Sequence, residues 1–512
     1  MLLKTPYIPE FTGDINPLNL HYISLVGKKV SKSPRENFTY LELGCGQGVS
    51  LNILAASYPH GSFYGIDGLE SHIQNARQLQ ENSQLTNVEF IHSLFDAVKL
   101  DSLPTFDFIV THGVWSHIDY HSHQHILNII KQKLNPGGLV YVSYDTLPGY
   151  GVAHMMREMI VRTIEDNPED PISCIQQGLG YLQFMRQQNS FFFQQNPTAS
   201  TILDYWLTQP LEYLVHQILP PASRPYFFHE VNAAFSKIGV EYLGTSPLVW
   251  NFLAPTVPPP QARQLIRQFP EQPQIESQKD FFNNQSFRRD IFRRPLPEEP
   301  NNIDDLLDNC YFGSLVLTSQ VAWQKSNVFG MRFQYPQAEF NYIVQQLSQG
   351  SATLPSLTQG DTSQREPLLR QLNSLIFGEQ FAVFTEKTTL AAIPNAQFRV
   401  SIPLLFNQNQ IYTPNLMGSD GIFVASPVLG NGVRIPTSDA LIIRALAEGT
   451  TPDAVPARCW DLLSATGVSI VVNGQKLMTA ESHVAEFTRR LQSFINERLC
   501  KYAELKLITI EP

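Results

Sequence analysis

Three glycines, Gly44, Gly46 and Gly48, fall within five positions of the stretch YLELGCGQGVS (40–50), and an acid, Glu42, stands two residues ahead of the first. Glycines spaced this way after an apolar run allow backbone conformations closed to other residues and let a ligand touch the main chain, here with Cys45 between the first two. Glu42 can hold the loop and add negative potential for a cationic ligand. Asp67, 19 residues after Gly48, ends a second apolar run; a carboxylate there is placed to accept hydrogen bonds from both hydroxyls of a ribose. Two more stretches carry groups that can act on a bound molecule. THGVWSHID (111–119) holds His112, Gly113, Trp115 and His117, and YVSYDTLPGY (141–150) holds Tyr144, Asp145 and Tyr150. The rings of Trp115, Tyr144 and Tyr150 suit an amine held by cation–π contact. His112 or Asp145 can accept a proton or bond an attacking N–H.

Positioning these groups requires alternating strands and helices. Short apolar runs at 38–43, 62–67, 88–93, 106–112 and 139–145 read as buried parallel strands, and periodic stretches at 48–58, 70–84 and 120–134 as the helices between them. NPGG (135–138) stops the last helix and starts a strand. Such β-α repeats predict a parallel sheet covered on both faces, with ligands at the strands' C-terminal ends. Residues 150–236 read as mostly helical, and GVEYLGTSPL (239–248) as a further strand. APTVPPPQARQ (254–264) reads as a surface loop, SFRRDIFRR (286–294) as a strand with a solvated arginine face, and PLPEEPNNIDD (295–305) as a linker. The polar tract at 345–364 reads as a mobile loop. Near the C-terminus a helix at 437–448, a hairpin with its Asn-Gly turn in VNGQ and a charged helix over about 480–500 suggest a winged-helix-like module.

Composition narrows the classes. A chain of 512 residues implies several domains. The formal net charge of -10, with 36 basic against 46 acidic side chains, argues against a general nucleic-acid binder. Aromatics at 11% against 16% charged residues imply much buried ring surface, in cores and at an interface. The five scattered cysteines, Cys45, Cys174, Cys310, Cys459 and Cys500, fit a reducing cytoplasm rather than a disulfide framework or a zinc site. No run approaches the ~20 apolar residues of a membrane span, so no membrane insertion is expected. His112, His117, His121, His123 and His125 crowd one stretch, but His121 and His125 share a helix face from which His123 points away. With no cysteine or paired carboxylate beside them they read as solvated helix-start histidines and no metal is expected; Asp119 reads as the helix N-cap.

Dinucleotide binders want G-x-G-x-x-G, and the third glycine of that pattern would fall at Val49. The observed E-x-G-x-G-x-G resembles motif I of class I S-adenosylmethionine methyltransferases, with other nucleotide binders as the competing reading. In that fold Ser93 and Phe95 follow the third strand, where adenine is clasped; Phe95 suits stacking, and an ordinary core phenylalanine equally well. THGVWSH and VSYDTLPGY are similar to the HGVYSW and VSYNTLPGW segments of bacterial methyltransferases that carry a methyltransferase regulatory domain, a family that includes the rickettsial-type protein lysine methyltransferases. PYIPEFTGDINPLNL (6–20), residues 212–246 and residues 425–449 resemble further segments of that family, so the likeness covers nearly the whole chain. It departs at His117, where the family has Trp, at Asp145, where it has Asn, and at Trp115, where many members have Tyr.

The resemblance implies an α/β fold: a Rossmann-like class I methyltransferase domain with helical insertions, a middle α+β domain and a C-terminal winged-helix-like domain. The expected divisions are 1–37, an N-terminal segment capping the cofactor site; 38–150, the S-adenosylmethionine-binding core; 151–238, a helical regulatory and dimerisation region; 239–295, completing the sheet; 296–395, the middle domain; and 396–512, the C-terminal domain. It implies S-adenosyl-L-methionine as cofactor, held by Glu42, Gly44, Cys45, Gly46, Gly48, Asp67, Ser93, Phe95, His112 and Gly113. It implies His112, Trp115, Tyr144 and Asp145 as catalytic and Trp115, His117, Tyr144 and Tyr150 as acceptor-binding. A cytoplasmic homodimer acting on a protein or peptide, lysine first, is the leading expectation. A small-molecule or peptide-amide methyltransferase and a non-catalytic binding module are the competing ones.

Overall fold

The computed structural model describes residues 7–163, 170–392, 398–413, 421–465, 469–472 and 475–511. Seven strands form one sheet: β1 (Phe38–Leu43), β2 (Gly61–Asp67), β3 (Val88–His92), β4 (Phe106–Thr111), β5 (Leu134–Asp145), β6 (Glu241–Thr245) and β7 (Phe287–Arg293). Their order is β3-β2-β1-β4-β5-β7-β6; the first five are parallel, and β7 runs antiparallel to both neighbours. The order reverses between β1 and β4, which opens a crevice at their C-terminal ends.

Alternation along each strand fills two layers. One face buries Tyr40, Phe63, Phe108, Tyr141 and Ile291 against α1 (Pro17–Val26) and α2 (Val49–Ser57). α3 (Glu70–Asn82) packs beside α2 over β2 and β3. The other face buries Leu41, Ile109, Val142, Tyr144 and Phe292 beneath α4 (Tyr120–Lys133), which Asp119 caps by accepting the Ser122 N–H at 2.8 Å.

Five helices follow β5: α5 (Gly151–Thr163), α6 (Pro171–Gln187), α7 (Phe191–Gln195), α8 (Pro197–Thr208) and α9 (Leu211–Ile218). They have their own core, around Met156, Ile175, Leu182, Leu203 and Leu214. α10 (Phe228–Ser236) returns the chain to the sheet, where Phe235 stacks on Phe292.

α1 also anchors the middle region. Its Tyr22 donates to Asn373 Oδ1 at 2.6 Å and packs edge-on against Phe312, in a small sheet made of Tyr311–Ser314, Ala352–Thr353 and Phe381–Phe384. The C-terminal region packs a hairpin, Gly421–Ser426 with Asn431–Pro436, onto α2. At its tip Gly430 has φ 58°, and a Cβ there would come within 1.8 Å of the Tyr58 hydroxyl, so only glycine fits. The helices Thr437–Ala447, Val455–Ser464 and Ala480–Glu497 follow. Val472 pairs with Gln475 as a hairpin requires, while the two turn residues of VNGQ lie outside the described residues. A cleft of about 580 Å³ lies between α1, the middle region and the C-terminal hairpin, with Asp14, Tyr22, Phe377 and Val433 in its walls.

Three expectations need correction. The proline-rich stretch is not a loop: Leu253–Thr256 and Pro259–Gln268 are helical, and the prolines sit at the helix start, where a missing N–H costs nothing. The tract at 345–364 contains a strand residue pair, Ala352–Thr353, and the helix Leu354–Thr358, whose Leu354 and Leu357 are buried. The arginines of β7 do not form a solvated face, because β7 is an interior strand covered on both sides. Arg288 is buried among Glu276, Asp280 and Asp290, with Lys279 also paired to Glu276, and the buried Arg293 pairs with Glu299.

Candidate active site

The glycine loop leaves β1 at the crevice. Gly44, Gly46 and Gly48 all have positive φ (79°, 52° and 68°). A Cβ on Gly44 would meet Val114 at 2.4 Å and one on Gly48 would meet Ala76 at 2.6 Å, whereas Gly46 has nothing within 4 Å and faces open space. The Gly44 and Cys45 amides donate to Ile66 O and the Gly46 amide to Asp67 Oδ2 at 2.9 Å. At these positions the loop offers a ligand close approach of the backbone rather than free donors. Cys45 points its thiol into the core, where burial pushes its pKa up.

Glu42 is buried, and its Oε2 has no hydrogen-bond partner. Burial, with the Asp67 charge adding to it, raises its pKa to about 8. An unpartnered buried acid beside an open glycine cradle is what a cationic nucleoside would satisfy. Asp67 already accepts three hydrogen bonds: Gly46 N–H on Oδ2, and Leu69 N–H (2.9 Å) and His72 Nδ1 (3.1 Å) on Oδ1. One acceptor position remains, on Oδ2, so a ribose meets one open lone pair rather than two free oxygens.

After β3, Ser93 binds back to Leu94 O, and Phe95 is half-buried against the core below it, while Leu94 is 48% exposed. After β4, His112 stacks on Tyr141 and its Nδ1 lies 3.0 Å from Tyr141 Oη and 3.1 Å from Ser143 Oγ. Burial, with Arg289 adding to it, lowers its pKa to about 3, so the ring is neutral. Gly113 donates its N–H to Ser143 Oγ at 2.8 Å. On β5, Tyr141, Ser143 and Asp145 share the face that carries His112. Asp145 Oδ2 is buried without a partner, and burial raises the pKa of this carboxyl to about 7.

Trp115 and Tyr144 do not line an open chamber. Strand parity sends Tyr144 to the opposite face, where it is 1% exposed and donates to Asp290. Trp115, 2% exposed, is sandwiched between His123 and Phe235 on that same face. His123 is therefore not a solvated histidine but a core one. His121 and His125 remain near the surface with their Nε2 atoms 3.1 Å apart. No group of three or more metal-ligating side chains converges among the described residues. His117 bonds Ser223 through Nδ1 (3.0 Å), and burial, with Arg157 adding to it, lowers its pKa to about 4. Tyr150 is half-buried beside the helical core.

The site also includes residues the sequence did not suggest. Tyr7 lies over the glycine loop: its carbonyl accepts from Gln47 Nε2, its N–H donates to His72 Nε2 at 2.9 Å, and its ring meets Tyr213 and His216 of α9. Thr12 N–H donates to Ser50 Oγ at 2.9 Å. Asp14 pairs with Arg289 at 2.9 Å, whose guanidinium lies over Phe287, itself edge-on to His112. The expected capping role of segment 1–37 pointed to the stretch that holds Tyr7, Thr12 and Asp14 but not to these side chains, and Ser143 carried a signal through its alternation with Tyr141 and Asp145.

Comparison with known proteins agrees with this fold. Residues 34–189 match the family model of a methyltransferase domain, and residues 210–294 match that of a predicted methyltransferase regulatory domain. An uncharacterised Synechocystis protein is 29% identical over 499 residues, covering 97% of each chain. An uncharacterised Rickettsia prowazekii protein is 28% identical over 291 residues, 56% of this chain and 51% of its own. Among solved structures, PKMT2 from Rickettsia typhi in complex with AdoHcy superposes over 98% of this chain and 100% of its own, with a TM-score of 0.75 and 20% identity. At that identity the likeness is one of fold.

Proposed function

Because this chain is an S-adenosylmethionine-dependent methyltransferase that carries a methyltransferase regulatory domain, we propose that it methylates a side-chain nitrogen, lysine first, of a protein or peptide. The observation that carries this reading is Asp145 Oδ2, buried and unpartnered at the end of β5 on the face of His112, an acid where the family it resembles has Asn, so proton removal at this point belongs to this chain and leaves an acceptor other than lysine open. A buried carboxylate with an open acceptor position suits an attacking N–H.

The bound cofactor supplies an electrophilic methyl group. Glu42, Gly46 and Asp67 would hold it, with the loop after β3 near its adenine. The chain's own contribution is alignment, which can be worth ~7–11 kcal/mol for well-placed partners. Neutral His112, held by Tyr141 and Ser143, walls the rim without adding positive charge. Asp145 orients the nitrogen and takes its proton. The relative PKMT2, in name, resembles this assignment; the enclosure of the loop by Tyr7 and α9 favours the second reading, a small-molecule or peptide-amide acceptor.

The domain divisions given above, a winged-helix-like C-terminal module and a homodimer belong to the same proposal. Tyr181, Phe184, Phe191 and Tyr205, exposed on the helical region, support the dimer. Five unpaired cysteines support a reducing cytoplasmic setting, and no helix among the described residues is long and apolar enough to cross a membrane.

Incubation of the protein with methyl-labelled S-adenosylmethionine and a cell lysate tests the acceptor class. Label on a protein band, mapped by mass spectrometry to lysine, is the expected result. Label confined to the small-molecule fraction would replace it with the second reading.

A further inference from the structure

His72 connects two parts of the molecule that are 60 residues apart or more. Its Nε2 lies 2.9 Å from the Tyr7 N–H. A backbone N–H only donates, so Nε2 is the acceptor, and the neutral ring carries its proton on Nδ1. That proton goes to Asp67 Oδ1, 3.1 Å away. Asp67 is the acid at the end of β2 that faces the cofactor's ribose in the reading above. The position of that carboxylate therefore depends on a ring whose tautomer is fixed by the N-terminal segment.

Tyr7 is in turn held by the regulatory region. Its ring lies 5.9 Å from Tyr213 and 5.4 Å, edge-on, from His216, both on α9. Gln217 of the same helix lies near both the Tyr7 hydroxyl and His117, six residues past β4. From the other side, Gln47 of the glycine loop donates to the Tyr7 carbonyl and accepts from Asn75 Nδ2 at 3.0 Å. One residue thus touches the glycine loop, the partner of the ribose acid and the regulatory helix.

We propose that His72 is a positioning residue that makes retention of S-adenosylmethionine depend on the Tyr7 segment and, through it, on α9. This rests on the cofactor reading of Asp67. When Tyr7 is docked, His72 is locked as donor to Asp67 Oδ1, which leaves the open lone pair on Oδ2 for the ribose. When Tyr7 leaves, Nε2 loses its donor, the ring is free to turn or exchange tautomer, and Asp67 loses one of its three restraints. Anything that moves α9 then changes how long the cofactor stays.

The test uses the full chain and radiolabelled S-adenosylmethionine, with release followed after dilution into excess unlabelled cofactor. His72→Asn keeps a donor near Asp67 and removes the acceptor for Tyr7; Tyr213→Ala removes the α9 side of the contact together with a ring packed against the helical core, so its melt is recorded beside its release. Both should speed release by about tenfold, the scale of one lost hydrogen bond or ring contact, with thermal melts close to the parent's. Hydrogen exchange of residues 7–12 should slow on adding cofactor in the parent and much less in His72→Asn. Unchanged release from Tyr213→Ala overturns the coupling. Asp67→Ala separates the two levels: if it binds cofactor as the parent does, the ribose assignment itself has failed.

Discussion

Tyr144 Oη donates to Asp290 Oδ2 across β5 and β7, on the face of the sheet opposite to His112. Asp290 also binds Arg288, which gathers Asp280 and Glu276, so the tyrosine closes a buried ionic network rather than a reaction chamber. Tyr144→Phe should therefore leave cofactor affinity and turnover within a few-fold of the parent. It should lower stability by about 1.5–3 kcal/mol, the range for a hydrogen bond to a charged group. Thermal melting and turnover measured on the same preparation decide it; lost turnover with an unchanged melt would return Tyr144 to the chamber.

The network around Arg288 makes a stronger stability prediction. Its guanidinium is enclosed by three carboxylates, and removing one partner of a buried pair commonly costs ~3–5 kcal/mol because the others are left uncompensated. Arg288→Ala should lose soluble protein or melt well below the parent, while Arg289→Ala, at a partly exposed pair with Asp14, should melt near it. Equal melting of the two variants would mean that the network holds little.

Much of this was legible from local pattern. Short β-branched and aromatic runs marked the central strands because buried parallel strands have few alternatives, and three glycines after one of them marked the crevice. What failed was set by partners distant in sequence. Whether Arg288 is solvated depends on the helix Gln272–Asn283, which sets Glu276 and Asp280 against it, and no feature of SFRRDIFRR reveals that packing. Tyr7 and His72 meet 65 residues apart. Tyr144 is different: its parity against Ser143 and Asp145 was readable, and an attractive ring beside a rim motif outweighed it.

On the proposed reading, in which Glu42 faces the cofactor, binding has a pH dependence. Burial holds its pKa near 8 in the free protein, so the carboxyl is largely protonated at neutral pH. A cationic ligand favours the ionised form and lowers that pKa. Binding then releases a proton between the two values, and affinity rises with pH, by up to about tenfold per unit, until it levels above about 8. Calorimetry at pH 7 in buffers of different ionisation enthalpy should register the release. Glu42→Gln should bind with affinity flat in pH; a slope unchanged in that variant would assign the proton to another group.

Asp145 predicts a separate limb in turnover. Its pKa is raised to about 7 by burial alone, and it can take a proton only when ionised. At saturating cofactor, so that Glu42 no longer contributes, label transfer to a protein acceptor should rise from pH 6 to 8. His112 cannot supply this limb, because its pKa of about 3 leaves it neutral throughout. A lysine acceptor adds its own rise at higher pH, since its reference pKa is ~10.4. Asp145→Asn keeps the size of the side chain and removes the titration. It should erase the inflection near 7 and slow transfer by ~100-fold or more, the scale of lost proton-transfer catalysis, while cofactor affinity stays within about twofold because Asp145 touches none of the residues that would hold it. An inflection that survives in Asp145→Asn would take the proton acceptor away from β5 and leave this carboxylate a structural group.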